Sequence, residues 1–350
     1  YPTKDGNPDW EKVPVFMEEL LLNGQEPFGP YLIEPSDPLS GGWGRAYKFY
    51  PDGGGSPVMV KIPRADRPDN ETLKMVWQRE TRLARRLATI IDNNEIHGIA
   101  KPLKLPPSGD YAGFVVYEYC QGKPLDRILS RGPIDLLVSL RIVAQICNTL
   151  RQLNESEFGY TDLKPSNIVL GRDGRPMLVD PVPMHPGHVR TPEEWPNDDL
   201  YRMSSEPDSR IYQSGMFYLL GILVLELLTG PHFQRLAPLS ILNISTAGDR
   251  NNSSSEYLEI ERQDKTKDPE SQDEVSDCVT HVITNSIQNV SRHMADGDER
   301  QMWRRNLIEL ITMSIGHADS RKNRTIKDFE RQINMIIDPR GILAATSRHA

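Results

Sequence analysis

Five short stretches of the chain hold side chains whose types and spacing could do chemistry. The richest is Tyr160-Thr161-Asp162-Leu163-Lys164-Pro165-Ser166-Asn167, followed by the strand-like Ile168-Val169-Leu170. A second apolar run, Met177-Leu178-Val179, ends at Asp180. A carboxylate and an amide five residues apart on a loop, then another carboxylate at a strand end, can orient a hydroxyl nucleophile and hold Mg²⁺. Hard cations take oxygen ligands of these kinds. By itself the same stretch also reads as an Asx-type turn ahead of a hairpin.

The other stretches gain meaning from each other. In Val58-Met59-Val60-Lys61-Ile62 a period of two puts Val58, Val60 and Ile62 on one face and Met59 and Lys61 on the other. Lys61 then shares a face with an apolar neighbour, which suits a cleft, although an exposed lysine on a half-buried sheet has the same pattern. Downstream, Leu73, Val76, Trp77, Glu80, Leu83, Ala84 and Leu87 follow helical spacing. Glu80 falls in the middle of that apolar face. A buried carboxylate that loses its partner costs on the order of 3–5 kcal/mol, so Glu80 needs a cation, and Lys61 is the natural candidate. Finally, Ser40-Gly41-Gly42-Trp43-Gly44 lies between two strand-like segments. Glycines there let the backbone approach phosphates and donate N–H groups, and they equally suit a plain hairpin turn.

These groups must be carried by a scaffold, and 350 residues can bury one large core or two modest ones. With 26% charged and 37% hydrophobic residues, the composition is that of a soluble globular protein. A net charge of -8 argues against nucleic acid or an anionic membrane as the main partner. The basic run Arg79, Arg82, Arg85 and Arg86 reads as a solvated helix face. Three cysteines without metal spacing suggest neither a disulfide framework nor a zinc site, and we expect a cytoplasmic location. The polar, Pro-rich residues 1–10 form no signal peptide, and a start at Tyr1 leads us to expect a longer parent chain. The apolar run 216–225, followed by Glu226, falls short of the about 20 residues a bilayer requires. An all-round apolar helix is instead buried, which predicts a helical core around 210–229.

The predicted fold class is α+β. Residues 1–30 read as an N-terminal extension with a short helix near 13–22. Residues 31–118 read as a small β-rich lobe with one helix over 68–90, N-capped by Asn70, and strands at 100–104 and 113–119. A connector at 119–124 leads to a larger helical lobe at 125–340, with a flexible insertion over about 246–275 and helices at 276–294, 300–315 and 325–337. A tail covers 341–350. Ligands favour clefts between such units.

On these motifs, over about residues 31–340, the chain resembles the eukaryotic-type protein kinases. The resemblance implies a two-lobed fold, the cofactors ATP and Mg²⁺, and phosphate transfer to Ser or Thr of a protein substrate. It implies that Gly41, Gly42 and Gly44 belong to a phosphate-covering loop, and that Lys61 contacts phosphates while pairing with Glu80. Asp162 would orient the substrate hydroxyl, Lys164 would neutralise the moving phosphoryl group, and Asn167 and Asp180 would hold Mg²⁺. Tyr117 resembles the residue at the back of the ATP pocket, and Glu118 to Cys120 the hinge that bonds adenine. Ala46, Met59 and Val169 would sandwich the ring, and Glu206 resembles the glutamate that closes the activation segment.

The pattern also departs from that family. Leu39 stands at the first glycine of the phosphate loop, and Tyr160-Thr161 replaces His-Arg. Thr161 cannot receive a phosphate as that arginine does, so we expect activity independent of phosphorylation at Thr191, Ser204 or Ser205. The Asp-Phe-Gly position reads Asp180-Pro181-Val182, and a following proline biases Asp180 toward extended backbone. Met216 replaces an aspartate early in the buried helix, which predicts that the usual support beneath the catalytic loop is missing, and the arginine expected near Asn323-Arg324-Thr325 is displaced or absent. Two alternatives follow: a pseudokinase that binds ATP as a sensor or scaffold, and a kinase-like phosphotransferase acting on a small molecule.

Overall fold

The computed structural model describes residues 3–4, 7–8, 12–22, 31–33, 39–40, 44–51, 55–64, 70–104, 114–160, 162–181, 210–230, 297–315 and 324–337. The chain is a mixed α+β protein that divides into two units: Tyr1–Gly122 with Met177–His188, and Lys123–Pro176 with Val189–Ala350.

The first unit opens with the short pair β1 (Thr3–Lys4) and β2 (Asn7–Pro8), then helix α1 (Val13–Leu22). A six-stranded antiparallel sheet follows, built from β3 (Tyr31–Ile33), β4 (Leu39–Ser40), β5 (Gly44–Pro51), β6 (Val58–Pro63), β7 (Pro102–Lys104) and β8 (Val115–Glu118). Its order is β3-β5-β6-β8-β7, with β4 beside β5. β5, β6 and β8 are rich in β-branched and aromatic residues that fit a pleated, half-buried surface. Val58, Val60 and Ile62 of β6 join Tyr47, Phe49, Phe114 and Val116 in one core cluster. Val13 and Met17 of α1 complete that cluster. This helix was expected in an extension outside the β-rich lobe; its apolar side instead supplies cover for the sheet. Each such buried side chain contributes about 1.5–3 kcal/mol.

Helix α2 (Asn70–Asn94) runs longer than the predicted 68–90, and Asn70, expected as its cap, is its first residue. Leu73, Trp77, Glu80, Ala84 and Leu87 are buried along one stripe, as the periodicity predicts. Beyond α2, Leu178 donates to the Gly98 carbonyl and accepts from the Ala100 N–H, both at 2.8 Å. These backbone bonds tie the segment leading to Asp180 to the first unit, although it lies far along the chain in the stretch predicted to be helical lobe. The strands expected at 100–104 and 113–119 are shorter, at Pro102–Lys104 and Val115–Glu118.

β9 (Gly122–Pro124) leads into the second unit, which holds α3 (Leu125–Leu129), α4 (Leu136–Glu155), a 3₁₀ turn (Pro165–Asn167) and β10 (Ile168–Gly171), with β9 and β10 in one small sheet. β11 (Pro176–Leu178) carries the chain from one unit to the other. Helices α5 (Arg210–Thr229), α6 (Gly297–Ile315) and α7 (Ile326–Ile337) follow. Asp135 caps α4 by accepting from the Leu137 and Val138 N–H groups at 2.9 and 3.3 Å. Residues 215–230 are buried throughout, as an all-apolar helix requires. α5 packs on α4, α6 and α7, with Phe217 edge-on to Phe329 at 5.2 Å. Thr325 and Asp328 form a reciprocal capping box at the start of α7. The predicted helix at 276–294 and the insertion at 246–275 lie outside the described residues. Among those described, no helix is long and apolar enough to cross a membrane.

Candidate functional site

The register of the first unit's sheet brings most of its predicted residues to one face. Ala46 stands opposite Lys61, which stands opposite Val115; Lys48, Met59 and Tyr117 form the neighbouring row. Directly opposed residues point the same way, so Ala46, Met59, Lys61 and Tyr117 share a surface, and Met59, Val115 and Tyr117 pack with Ala84 of α2.

At the centre of that surface Lys61 Nζ lies 3.2 Å from both oxygens of Glu80 and 2.5 Å from Asp180 Oδ1. Lys61 is 7% exposed and Glu80 is 0% exposed. Tyr117 donates its hydroxyl to Glu80 Oε1 at 2.8 Å. Burial by itself would lower the Lys61 ammonium, but the charges of Asp180 and then Glu80 outweigh it and hold it above its ordinary value. Burial pushes the Glu80 carboxyl up, and the Lys61 charge pulls the other way. One cation between two carboxylates leaves a formal excess of one negative charge.

Asp180 has φ +51. This corrects the expected extended backbone. Aspartate tolerates the left-handed region better than most residues, and the Lys61 bond holds its carboxylate there. Such a residue stores about 1–3 kcal/mol of backbone strain. Val182 lies outside the described residues.

A separate constellation forms in the second unit. Asp162 is 8% exposed. Asn167 Nδ2 donates to its carbonyl at 3.0 Å and to its Oδ2 at 2.7 Å, and Lys164 Nζ lies 2.9 Å from the same Oδ2. The turn Pro165–Asn167 makes this possible, closed by Asn167 N–H on the Lys164 carbonyl at 3.0 Å. With its nitrogen turned to Asp162, the Asn167 amide directs its oxygen the other way. Val169 is buried on β10.

The remaining predicted residues are distributed as follows. Gly44 opens β5 and is buried opposite Pro63, whereas Gly41 and Gly42 lie outside the described residues, as do Thr191, Ser204, Ser205 and Glu206. Glu118 is exposed, and its N–H donates to the Lys101 carbonyl at 2.8 Å. Cys120 is half-buried, and burial followed by the Glu118 charge raises its thiol to about 12, which makes it a poor nucleophile.

Two tyrosines matter that sequence reasoning missed in these roles. The first is Tyr117, as a partner of Glu80. The second is Tyr212, whose hydroxyl accepts from the Tyr160 N–H at 3.1 Å and donates to the Tyr160 carbonyl at 3.2 Å. Tyr212 lies one turn before Met216 on the same helix. A phenol amid an otherwise apolar buried segment was the available signal, because a buried tyrosine hydroxyl usually finds a partner.

Among the described residues, no group of three or more His, Cys, Asp or Glu side chains is arranged to hold a metal ion. A scan against protein-family models finds no match to the chain, and a search of curated proteins finds none.

Proposed function

We propose that the chain is an atypical, two-lobed protein kinase that uses Mg·ATP to phosphorylate Ser or Thr hydroxyls of protein substrates. The observation that carries this reading is the buried Lys61 bonded at once to Glu80 and Asp180. A buried ion pair is weak evidence for stability, because desolvation offsets its attraction. A cation fixed by two carboxylates is well suited to meet phosphate oxygens in a defined place.

In this reading Lys61 binds nucleotide phosphates, and Glu80, itself held by Tyr117, orients Lys61. Asp180 and the Asn167 amide each offer an oxygen of the kind Mg²⁺ takes, and Mg²⁺ usually binds through few protein ligands plus substrate phosphates. Bound with the nucleotide, Mg²⁺ would offset phosphate charge. Asp162 accepts or orients the substrate hydroxyl proton, and Lys164 beside it neutralises the transferred group. Catalysis would then consist of positioning and fixed charge. Cysteine usage and charge fit a cytoplasmic protein with protein partners.

The second reading is a pseudokinase. Its motive is that Lys61 and Asp180 satisfy each other directly, as do Lys164, Asn167 and Asp162. The deciding assay supplies Mg²⁺ and γ-labelled ATP, with and without a generic acceptor protein, to wild type, Asp162→Asn and Asp180→Ala. Label transfer by wild type that is lost in both variants is the expected result. Nucleotide binding, seen as a raised melting temperature, without any transfer would select the pseudokinase. Transfer to metabolites and never to protein would select a small-molecule phosphotransferase.

A further inference from the structure

The stretch that carries Asp162 leaves the core of the second unit at Tyr160, which has no exposed surface. Tyr212 is equally buried, and its hydroxyl meets both backbone polar atoms of Tyr160, at 3.1 and 3.2 Å. A hydroxyl donates once and accepts as well, so one group can fix the N–H and the carbonyl of a single residue. Burial raises the Tyr212 phenol above its ordinary value, with the Tyr160 bond pulling the other way, so its donor proton is retained at neutral pH.

The anchor is firm, since residues 215–230 that follow Tyr212 on α5 are all buried. Asp162 stands two residues beyond Tyr160, and Asn167 holds its carbonyl and Oδ2 from the downstream side. Consecutive Cα atoms are about 3.8 Å apart, so a pin two residues away restricts Asp162 closely. Met216, one turn along α5 from Tyr212, has no hydrogen-bond donor to offer in its place.

We propose that Tyr212 is a positioning residue: by clamping Tyr160 to α5 it sets the place of the Asp162–Lys164–Asn167 cluster. For its kinetic consequence the proposal rests on the phosphoryl-transfer reading; its structural consequence can be measured without it.

The test compares the full wild-type chain with Tyr212→Phe, which removes one oxygen and keeps the ring. The reporter is the Asn167 side-chain NH₂ resonance in protein carrying isotopically labelled asparagine, assigned by its loss in Asn167→Asp. In Tyr212→Phe this resonance is expected to shift, and its hydrogen exchange to accelerate at least about tenfold. The kcat for phosphate transfer is expected to fall on the order of 10- to 100-fold with KM for ATP changed less than about twofold, since misplacement by about 1 Å can cost on the order of 100-fold.

An unchanged Asn167 resonance overturns the proposal whatever the activity, and so does a shifted resonance with unchanged kcat. A shifted resonance in a protein whose wild type transfers no phosphate sinks the phosphoryl-transfer reading and supports the clamp. Should Tyr212→Phe not fold, 4-aminophenylalanine in place of Tyr212 keeps the shape and the donor but accepts poorly. It is expected to shift the resonance part of the way and lower kcat by about 3- to 10-fold; wild-type values for both would count against the clamp.

Discussion

Lys61 and Glu80 are defined by what surrounds them. Lys61→Met leaves Glu80 buried without its cation and Asp180 without its partner. Removing one member of a buried pair costs about 3–5 kcal/mol, so urea denaturation should report a loss of that order. A loss below about 1 kcal/mol would mean that the pair is solvated or already neutral in solution. Tyr117→Phe removes the hydroxyl bonded to Glu80 and nothing else. A hydrogen bond to a charged group contributes about 1.5–3 kcal/mol, and the loss should shrink in a Glu80→Gln background. A double-mutant cycle measures the coupling, and strict additivity would show that the bond is not formed.

Elements are held by their ends as much as by their faces. Gly230 ends α5 at φ +58, and a Cβ there would come within 2.7 Å of the Gly132 and Pro133 backbone. Gly174, in the turn between Gly171 and Arg175, also has positive φ (+78) but meets nothing within 4 Å. Both alanine variants carry backbone strain, and only Gly230→Ala adds a clash with main chain. It should destabilise by at least about 1 kcal/mol more than Gly174→Ala, and equal losses would show that the loop at Gly132 yields freely. At the other end of a helix, Asp135→Ala removes the cap of α4 and should cost about 1 kcal/mol in the same denaturation assay.

At the scale of the whole molecule, several buried acids share one pH signature. Burial holds the Cys120 and Cys147 thiols above their ordinary 9.0, and the Tyr117 and Tyr212 phenols above 10.0. Lys61 is held above 10.5 against its burial, by the charges of Asp180 and Glu80. In each case the folded state keeps a proton that the unfolded chain has lost once pH exceeds the ordinary value. Stability therefore falls as pH rises. The loss should begin near pH 9 with the thiols and steepen above pH 10 as phenols and lysine join, each adding a slope of about 1.4 kcal/mol per pH unit. Unfolding free energies measured between neutral and alkaline pH check this. Cys147→Ala combined with Cys120→Ser should move the onset toward pH 10, and an unmoved onset would assign it to other groups.

Much of the fold was legible because period and burial are local properties. The run 216–225 predicts a buried helix on composition alone, and α5 spans Arg210–Thr229. The helical stripe that includes Glu80 demands a cation, and an alternating strand offers Lys61. The bounds of α1 were readable as Val13–Leu22, but its place in the sheet's core was not, since ten residues cannot declare what they pack against. Tertiary structure alone decided the rest. It returned the segment at Leu178 to the first unit through bonds to Gly98 and Ala100, and it turned Asp180 to positive φ against the bias of its following proline. It also brought the hydroxyl of Tyr212 onto the backbone of Tyr160. The physical reason is shared: a sequence states which groups need partners, whereas the choice of partner depends on distances between segments far apart along the chain.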